Sequence, residues 1–261
     1  MSASAYDVVA PNFDSHRALP SGVPEAIRAA VLGCTSARPR LLDLGAGSGR
    51  IGWPFVAAGD DYVGVDLSAG MLREFAQRAG GQGNAPRLVQ ADGRQLPFPD
   101  AMFDAVLLIQ VFGRLRGWRK FIGEAHRVLR PAGALIVGRT KMPLDGLDAR
   151  MKQRLAAILG ELGVQHDRAN ARDDITHWLE SSAGSSKLVT AASWTARRTP
   201  RAFIERHGSG ARFSALPASV KTQALRELGV WAATTFGSLD AAHSEPHAFE
   251  LQVFKFQDGK R

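Results

Sequence analysis

The chain has 261 residues, of which 45% are hydrophobic and 22% charged, the composition of an ordinary globular protein. No apolar run approaches the roughly 18 residues that cross a bilayer, and the polar N-terminus does not resemble a signal peptide, so we expect a cytoplasmic protein without a membrane partner. A single cysteine, Cys34, excludes an internal disulfide framework and a cysteine-based metal cluster.

The charge is distributed unevenly along the chain. Residues 1–110 contain nine Lys/Arg and eleven Asp/Glu, whereas residues 111–261 contain 24 and 14, so the net charge of +8 comes wholly from the second part. A basic half is compatible with an acidic substrate, with RNA or with a solvated surface. Because no dense Lys/Arg block is interleaved with aromatic residues, nucleic acid is not the favoured partner.

Up to about residue 140 the hydrophobic pattern predicts strands that alternate with helices. The predicted elements are a helix over Ser21–Leu32, a strand over Arg40–Gly45, a helix over Gly49–Ala58, a strand over Tyr62–Asp66, a helix over Ala69–Ala79, a strand over Arg87–Gln90, a strand over Phe103–Ile109, a helix over 121–129 ended by Pro131 and Gly133, and a strand over Ala134–Gly138. This alternation predicts right-handed βαβ units and a doubly wound, mostly parallel sheet of the α/β class.

Beyond Lys141 the alternation loosens. Helices are predicted around Asp148–Leu162, Asp173–Ser181, Pro200–His207 and Pro217–Thr235, a strand near Lys187–Ala196, and a closing antiparallel strand at Phe249–Val253. We expect one domain with N-terminal cap helices (1–35), a binding core (36–140) and a helical cap with closing strands (141–261), around a seven-stranded sheet.

A glycine-rich loop follows the first predicted strand, in the run Asp43-Leu-Gly45-Ala-Gly47-Ser-Gly49-Arg50. Glycines at alternate positions let the backbone approach a ligand closely, and ligands of open parallel sheets bind at the carboxyl ends of the strands. The dinucleotide pattern G-x-G-x-x-G is not met, because its last glycine would fall on Arg50.

The loop is instead similar to the acid-x-G-x-G-x-G loop of class I S-adenosylmethionine (SAM)-dependent methyltransferases. Four further stretches match in order and spacing, and they are Val63–Leu72, Gln90–Pro99, Phe103–Ile109 and Glu124–Gly138. Over about residues 6–140 the chain resembles this family, in particular its ubiquinone/menaquinone-biosynthesis C-methyltransferases. The resemblance implies a Rossmann-like fold and SAM as cofactor.

The resemblance also implies roles for individual residues. Asp66 would bind both ribose hydroxyls, Asp92 the adenine amino group, and the three glycines the methionine moiety, while Asp43 would orient the loop and its water. Leu67 and Met71 would pack on the adenine ring. The implied cofactor-binding residues are Tyr6, Arg17, Asp43, Gly45, Ala46, Gly47, Gly49, Asp66, Leu67, Met71, Ala91, Asp92, Gly93, Gln110 and Val111.

The methyl acceptor does not follow from the cofactor, because transfer from a sulfonium requires alignment and a catalytic base is optional. The fourth strand is followed by Gln110-Val-Phe112-Gly rather than by the [DNS]-P-P-[FY] of base-amino methyltransferases, and no carboxylate for a metal lies between Asp104 and Glu124. We therefore expect a small-molecule acceptor, acidic or aromatic, and no metal. The predicted acceptor contacts are Phe13, Phe112, Arg139, Trp194 and Phe213, with His16 as the candidate base.

Three other functions stay open at this point: an RNA or protein methyltransferase that uses the basic half, a non-catalytic SAM-binding protein, and a nicotinamide-dependent dehydrogenase. For the enzyme we expect residues 1–20 and about 199–235 to close together over the cofactor, because methyl transfer needs water to be excluded.

Overall fold

The computed structural model describes residues 7, 10, 14, 18–80, 84–112, 115, 117–164, 171–208, 213 and 216–256. Its strands are β1 (Leu41–Leu44), β2 (Tyr62–Asp66), β3 (Arg87–Gln90), β4 (Phe103–Ile109), β5 (Leu129–Lys141), β6 (Ser185–Arg198) and β7 (His243–Lys255). Its helices are α1 (Val23–Leu32), α2 (Trp53–Ala57), α3 (Ala69–Ala79), α4 (Trp118–Arg127), α5 (Leu147–Glu161), α6 (Ala171–Ser182), α7 (Pro200–Gly208) and α8 (Ala218–Phe236).

The strands form a seven-stranded sheet in the order β3-β2-β1-β4-β5-β7-β6. Strands β1 to β5 pair in parallel, and β7 is antiparallel to both β5 and β6. The chain reverses its direction of travel across the sheet between β3 and β4, so β1 and β4 flank the topological switch point at which such sheets bind ligands. The predicted α/β fold, with a mostly parallel sheet and a closing antiparallel strand, is confirmed.

Helices cover both faces of the sheet, which explains why the central strands are apolar on both sides. All four residues of β1 are buried, as are six of the seven residues of β4. One face packs against α1, α2 and α3, and the other packs against α4 and α6.

Helices α5, α7 and α8 form a cap with a hydrophobic core of its own. Each helix contributes fully buried side chains to this core, for example Met151 of α5, Phe203 of α7 and Leu228 of α8. The cap begins where β5 ends, and Glu245 at the start of β7 accepts a hydrogen bond from the backbone N–H of Leu147. The cap therefore lies beyond the carboxyl edge of the parallel strands.

Several element boundaries differ from the sequence prediction: α4 ends at Arg127 rather than at Leu129, and β7 begins at His243 rather than at Phe249. Two further differences have a clear physical cause. Strand β5 begins at Leu129, which pairs with Phe103, and it passes through Pro131-Ala-Gly133 instead of starting after it. The register shifts here and Ala132 adopts φ of 61°, so a bulge carries the proline within the strand. Helix α2 begins at Trp53 and not at Gly49, because Gly49 has φ of 74°, outside the helical region.

Candidate functional site

The glycine loop and the end of β2 are joined by one carboxylate. Asp66 Oδ2 accepts a hydrogen bond of 2.9 Å from the backbone N–H of Gly47, and Oδ1 accepts one of 2.8 Å from Ser68 N–H. Burial raises the pKa of Asp66, and these backbone hydrogen bonds act in the opposite direction. Asp66 is half-buried, so each oxygen keeps lone-pair capacity toward the open side of the site.

The three glycines of the loop have different surroundings, although all three have positive φ. A Cβ at Gly45 would lie 2.9 Å from the Val111 side chain, and one at Gly49 would lie 2.1 Å from the Phe75 ring. At Gly47 the nearest atom among the described residues would be a backbone oxygen 4.0 Å away. Gly45 and Gly49 are thus required by packing within the protein, whereas Gly47 leaves its space open above the backbone.

Asp43 lies beneath this loop and is 3% exposed. Its Oδ2 accepts a 2.6 Å hydrogen bond from the Tyr62 hydroxyl, while its buried Oδ1 has no hydrogen-bond partner among the described residues. Burial raises the pKa of Asp43 to about 7, and the hydrogen bond from Tyr62 opposes this shift. The free Oδ1 is compatible with the water-orienting role inferred from the sequence.

Beyond Asp66 the site continues over the start of α3 and the end of β3. Leu67 is 44% exposed, whereas Met71 is 2% exposed. Leu67 therefore presents apolar surface at this edge, whereas Met71 is buried. Asp92 is held by Arg94, which donates to Asp92 Oδ2 at 2.6 Å and lowers the pKa of Asp92.

Ala91 and Gly93, the predicted cofactor-binding residues on either side of Asp92, have contacts within the protein. Ala91 is buried and donates its N–H to the Asp66 carbonyl at 3.1 Å. A Cβ at Gly93 would lie 2.4 Å from the Phe121 ring. Both residues therefore fix the path of the chain that brings Asp92 to the edge of the sheet.

Two carboxylates of the N-terminal segment contact this same edge. Asp7 Oδ1 accepts hydrogen bonds from Ser68 Oγ at 2.6 Å and Gly70 N–H at 2.9 Å, and Asp14 Oδ1 accepts one from Ser48 Oγ at 2.7 Å. Sequence reasoning missed both contacts, although a carboxylate near a helix start is a common partner for its free N–H groups. The predicted site residues Tyr6, Phe13, His16 and Arg17 lie outside the described residues.

Gln110 follows β4 directly and adopts φ of 57°, a conformation uncommon for residues other than glycine. Its side chain accepts a 2.7 Å hydrogen bond from Arg50 and donates a 3.0 Å hydrogen bond to Thr140 Oγ1. Gln110 therefore links the glycine loop to the end of β5, the two sides of the switch point.

A pocket opens beside Gln110 between α6, the end of β4 and the parts of β5, β6 and β7 that lie next to it in the sheet. It is a shallow pocket that is open to solvent on one side. Its apolar lining includes Leu108, Val111, Phe112, Val137 and Leu188, and its charged lining consists of Arg139, Arg172 and Glu250. We call this the switch-point pocket.

Four of the residues that were predicted to contact the methyl acceptor are described, and the structure places them in different surroundings. Phe112 and Arg139 line the switch-point pocket. Phe213 does not, because it is 1% exposed within the core of the cap and has no free surface for an acceptor. Trp194 is half-buried on β6 and packs edge-on against His247. Sequence reasoning missed Glu250 and Arg172, since only the folding of α6 and β7 onto β5 brings them to the pocket.

The parallel sheet with its reversed strand order and the acid-glycine site at the switch point define a Rossmann-like α/β protein. YcgJ of Bacillus subtilis has this fold, with a TM-score of 0.58 at 20% identity over 90% of this chain and 99% of that one. A phosphoethanolamine N-methyltransferase of Haemonchus contortus, solved with S-adenosylhomocysteine, has a TM-score of 0.53 at 15% identity over 97% of this chain and 58% of that one.

A family model described as a methyltransferase domain matches residues 42–137, the part of the chain in which the predicted motifs lie. A demethylmenaquinone methyltransferase of Thermus thermophilus is 36% identical over 121 residues, which are 46% of this chain and 55% of that relative. The first three curated relatives are matched over only 55% to 61% of their lengths. In the described part of the chain, no helix has the length and apolarity needed to cross a membrane.

Proposed function

We propose that this chain is a SAM-dependent methyltransferase that acts on a small molecule bound in the switch-point pocket. The observation that carries the proposal is that Gln110 and Val111 lie between two spaces: the open backbone at Gly47, faced by the Asp66 carboxylate, and the pocket between α6 and the strand ends. A cofactor on one side and an acceptor on the other would meet at the end of β4.

The residues at the glycine loop fit SAM. Asp66 has a lone pair for each ribose hydroxyl, since a carboxylate can accept in a bidentate manner. The empty volume above Gly47 suits the amino-acid end of the cofactor, and exposed Leu67 suits the adenine ring. A structural neighbour was solved with S-adenosylhomocysteine, the product that SAM leaves after transfer.

When bound, SAM supplies an activated methyl group, so the protein has to align the acceptor and exclude water. Gln110, fixed by Arg50 and Thr140, would hold the boundary between the two spaces. Glu250 is 6% exposed and lies in the pocket 3.0 Å from Lys141 Nζ. Glu250, like His16, is therefore a candidate base that would take the proton from an oxygen or nitrogen atom that is methylated.

The pocket favours a small acceptor over a polymer. Its floor is apolar and a few charged side chains face it, which is the kind of lining that small-molecule sites have. Phe112 would contact an aromatic or aliphatic body, while Arg139 and Arg172 would contact acidic groups. Two curated relatives are named demethylmenaquinone methyltransferase, so a quinol belongs among the acceptors to be tested.

The decisive experiment supplies methyl-labelled SAM and a metabolite extract to the purified protein and follows label transfer by mass spectrometry. We expect a labelled small molecule and a stoichiometric amount of S-adenosylhomocysteine, and neither with Asp66→Ala. Label in RNA or protein would instead support a macromolecular acceptor. SAM binding without transfer to any fraction would support a regulatory protein, and binding of NAD in place of SAM would support a dehydrogenase.

A further inference from the structure

We propose that the methyl acceptor is a carboxylic acid with an apolar body and that Arg172 binds its carboxylate in the switch-point pocket. The inference rests on the proposed function and narrows the acceptor to one chemical class. Its basis is the arrangement of apolar and charged side chains on the walls of this pocket.

One wall of the pocket is a face of the sheet, on which two rows of side chains lie next to each other. Val137 of β5 pairs with Gln252 of β7, which pairs with Leu188 of β6, and all three line the pocket. In the next row, Arg139 of β5 pairs with Glu250 of β7. Because alternate residues of a strand point to the same face, a mainly apolar row and a charged row border one space.

The apolar part of this wall is open to a ligand. Leu188 is 59% exposed, and Phe112 lines the same pocket just after the end of β4. An exposed leucine in a pocket is withdrawn from water when an apolar group covers it, which favours binding of such a group. This wall therefore fits an apolar body of the acceptor.

The opposite wall is helix α6, which brings Arg172 to the pocket. Ile175 and Leu179 of α6 are buried in the same hydrophobic cluster as Leu108 of β4. Arg172 lies three positions before Ile175, and residues at this spacing lie on the same side of a helix. Both Arg172 and Thr176 line the pocket. The packing of α6 on the sheet thus fixes where the Arg172 side chain lies.

The charged side chains of the pocket leave positive charge without a partner. Its lining contains two arginines and one carboxylate, Glu250. Glu250 lies 3.0 Å from the Nζ of Lys141 but 3.7 Å from the Nη2 of Arg139, beyond hydrogen-bonding distance. Arg172 is half-buried and forms no ion pair within the part of the chain that the structure describes. The Arg172 guanidinium is therefore available to an anion, and Arg139 can assist it.

A carboxylate suits these donors better than a dianion. Two arginines and one glutamate give the lining a net charge of +1, which a monoanion neutralises, whereas a phosphate monoester would exceed it. A guanidinium group also presents parallel N–H donors that match the two oxygens of a carboxylate. Because the apolar row adjoins the charged row, one molecule can contact both.

The carboxylate would be an anchor remote from the methylated atom. Gln110 lines the same pocket and accepts a hydrogen bond from Arg50 of the glycine loop, so the transferable methyl group is expected at this end. Binding at Arg172 would orient the acceptor for transfer without taking part in it.

Calorimetric titration of the S-adenosylhomocysteine-loaded protein at constant ionic strength tests the site. The probes are benzoate, the uncharged benzamide of similar shape, and phenyl phosphate. We expect saturable benzoate binding in the millimolar range, with benzamide at least fivefold weaker. Equal affinity for benzoate and benzamide, tighter binding of phenyl phosphate, or no saturable binding of benzoate would overturn the proposal.

Arg172→Met should weaken benzoate binding at least fivefold and leave benzamide binding unchanged, which also shows that the pocket is still folded. Arg226→Met is the matched control, because Arg226 is an exposed arginine on α8 without an ion pair to any described residue. Equal affinities of the two variants for benzoate would remove Arg172 from the site.

A second arm separates this inference from the proposed function. In the labelled-SAM screen we expect a labelled product that ionises as an anion and loses carbon dioxide on fragmentation. A labelled product without a carboxylate, or label in a methyl ester, would overturn the carboxylate anchor and leave the methyltransferase intact. Failure of the protein to bind S-adenosylhomocysteine at all would reject the proposed function, whatever the benzoate titration gives.

Discussion

Gly47 donates its backbone N–H to Asp66 Oδ2 at 2.9 Å, so the carboxylate that ends β2 is fixed to the loop that follows β1. The same carboxylate accepts the N–H of Ser68 at the start of α3. One side chain thus fixes three segments around the space in which we expect the cofactor ribose.

Replacing Asp66 with alanine should weaken binding of S-adenosylhomocysteine by about 1.5–3 kcal/mol, because hydrogen bonds to a charged group are lost. Isothermal calorimetry measures the effect. Asp61→Ala is the control, since Asp61 is a carboxylate at the start of β2, where it pairs with Arg40 and Arg87 away from the site. Unchanged affinity in Asp66→Ala would remove Asp66 from the cofactor site.

Gly47→Val should abolish cofactor binding while leaving the sheet folded, because the new side chain would enter the open space above the loop. Gly163→Val controls for backbone strain. Gly163 has φ of 73°, and no atom of the described residues lies within 4 Å of an added Cβ, so it shares the conformation of Gly47 but lies after α5. Both variants should lose stability in thermal denaturation, and only Gly47→Val should lose binding. Normal binding by a folded Gly47→Val protein would show that the loop assignment is wrong.

Asp43 should make the protein less stable as the pH rises from about 4 to about 7. Its pKa is raised to about 7 in the folded state, so the folded protein holds a proton that the unfolded chain releases in this range. The penalty is absent below pH 4 and constant above pH 7. At about 1.4 kcal/mol per pKa unit it amounts to at most about 4 kcal/mol.

Asp43→Asn tests this effect, because asparagine cannot ionise and can still accept the hydrogen bond from Tyr62. We expect the free energy of unfolding in urea to favour the variant increasingly from pH 4 to pH 7. A difference between the two proteins that does not change with pH would show that Asp43 titrates normally.

The N-terminal segment should become more protected from hydrogen exchange when S-adenosylhomocysteine binds. Asp7 and Asp14 attach this segment to Ser68 and Ser48, on the two sides of the expected cofactor. Exchange of residues 1–20, followed by mass spectrometry, should slow with the ligand in the wild type and slow less in Asp14→Ala. Asp100→Ala is a control at an exposed carboxylate elsewhere. Equal protection with and without ligand would argue against closure coupled to the cofactor.

Sequence reasoning succeeded where the relevant residues are close in the chain. The strands before Gly45 and Asp66, and the presence of acids and glycines just after them, follow from local patterns, because the carboxyl ends of parallel strands share one edge. It failed at β5, where pairing with β4 and a bulge at Ala132 keep Pro131 inside a strand. It failed also at Phe213, because the aromatic character of a residue does not tell an open pocket from the core of a cap.

The sequence by itself determined the Rossmann-like domain and the acid-glycine loop, since both depend on hydrophobic period and on backbone freedom at specific positions. Only the tertiary structure decided which glycine faces open space, because that depends on Val111 and Phe75 from distant elements.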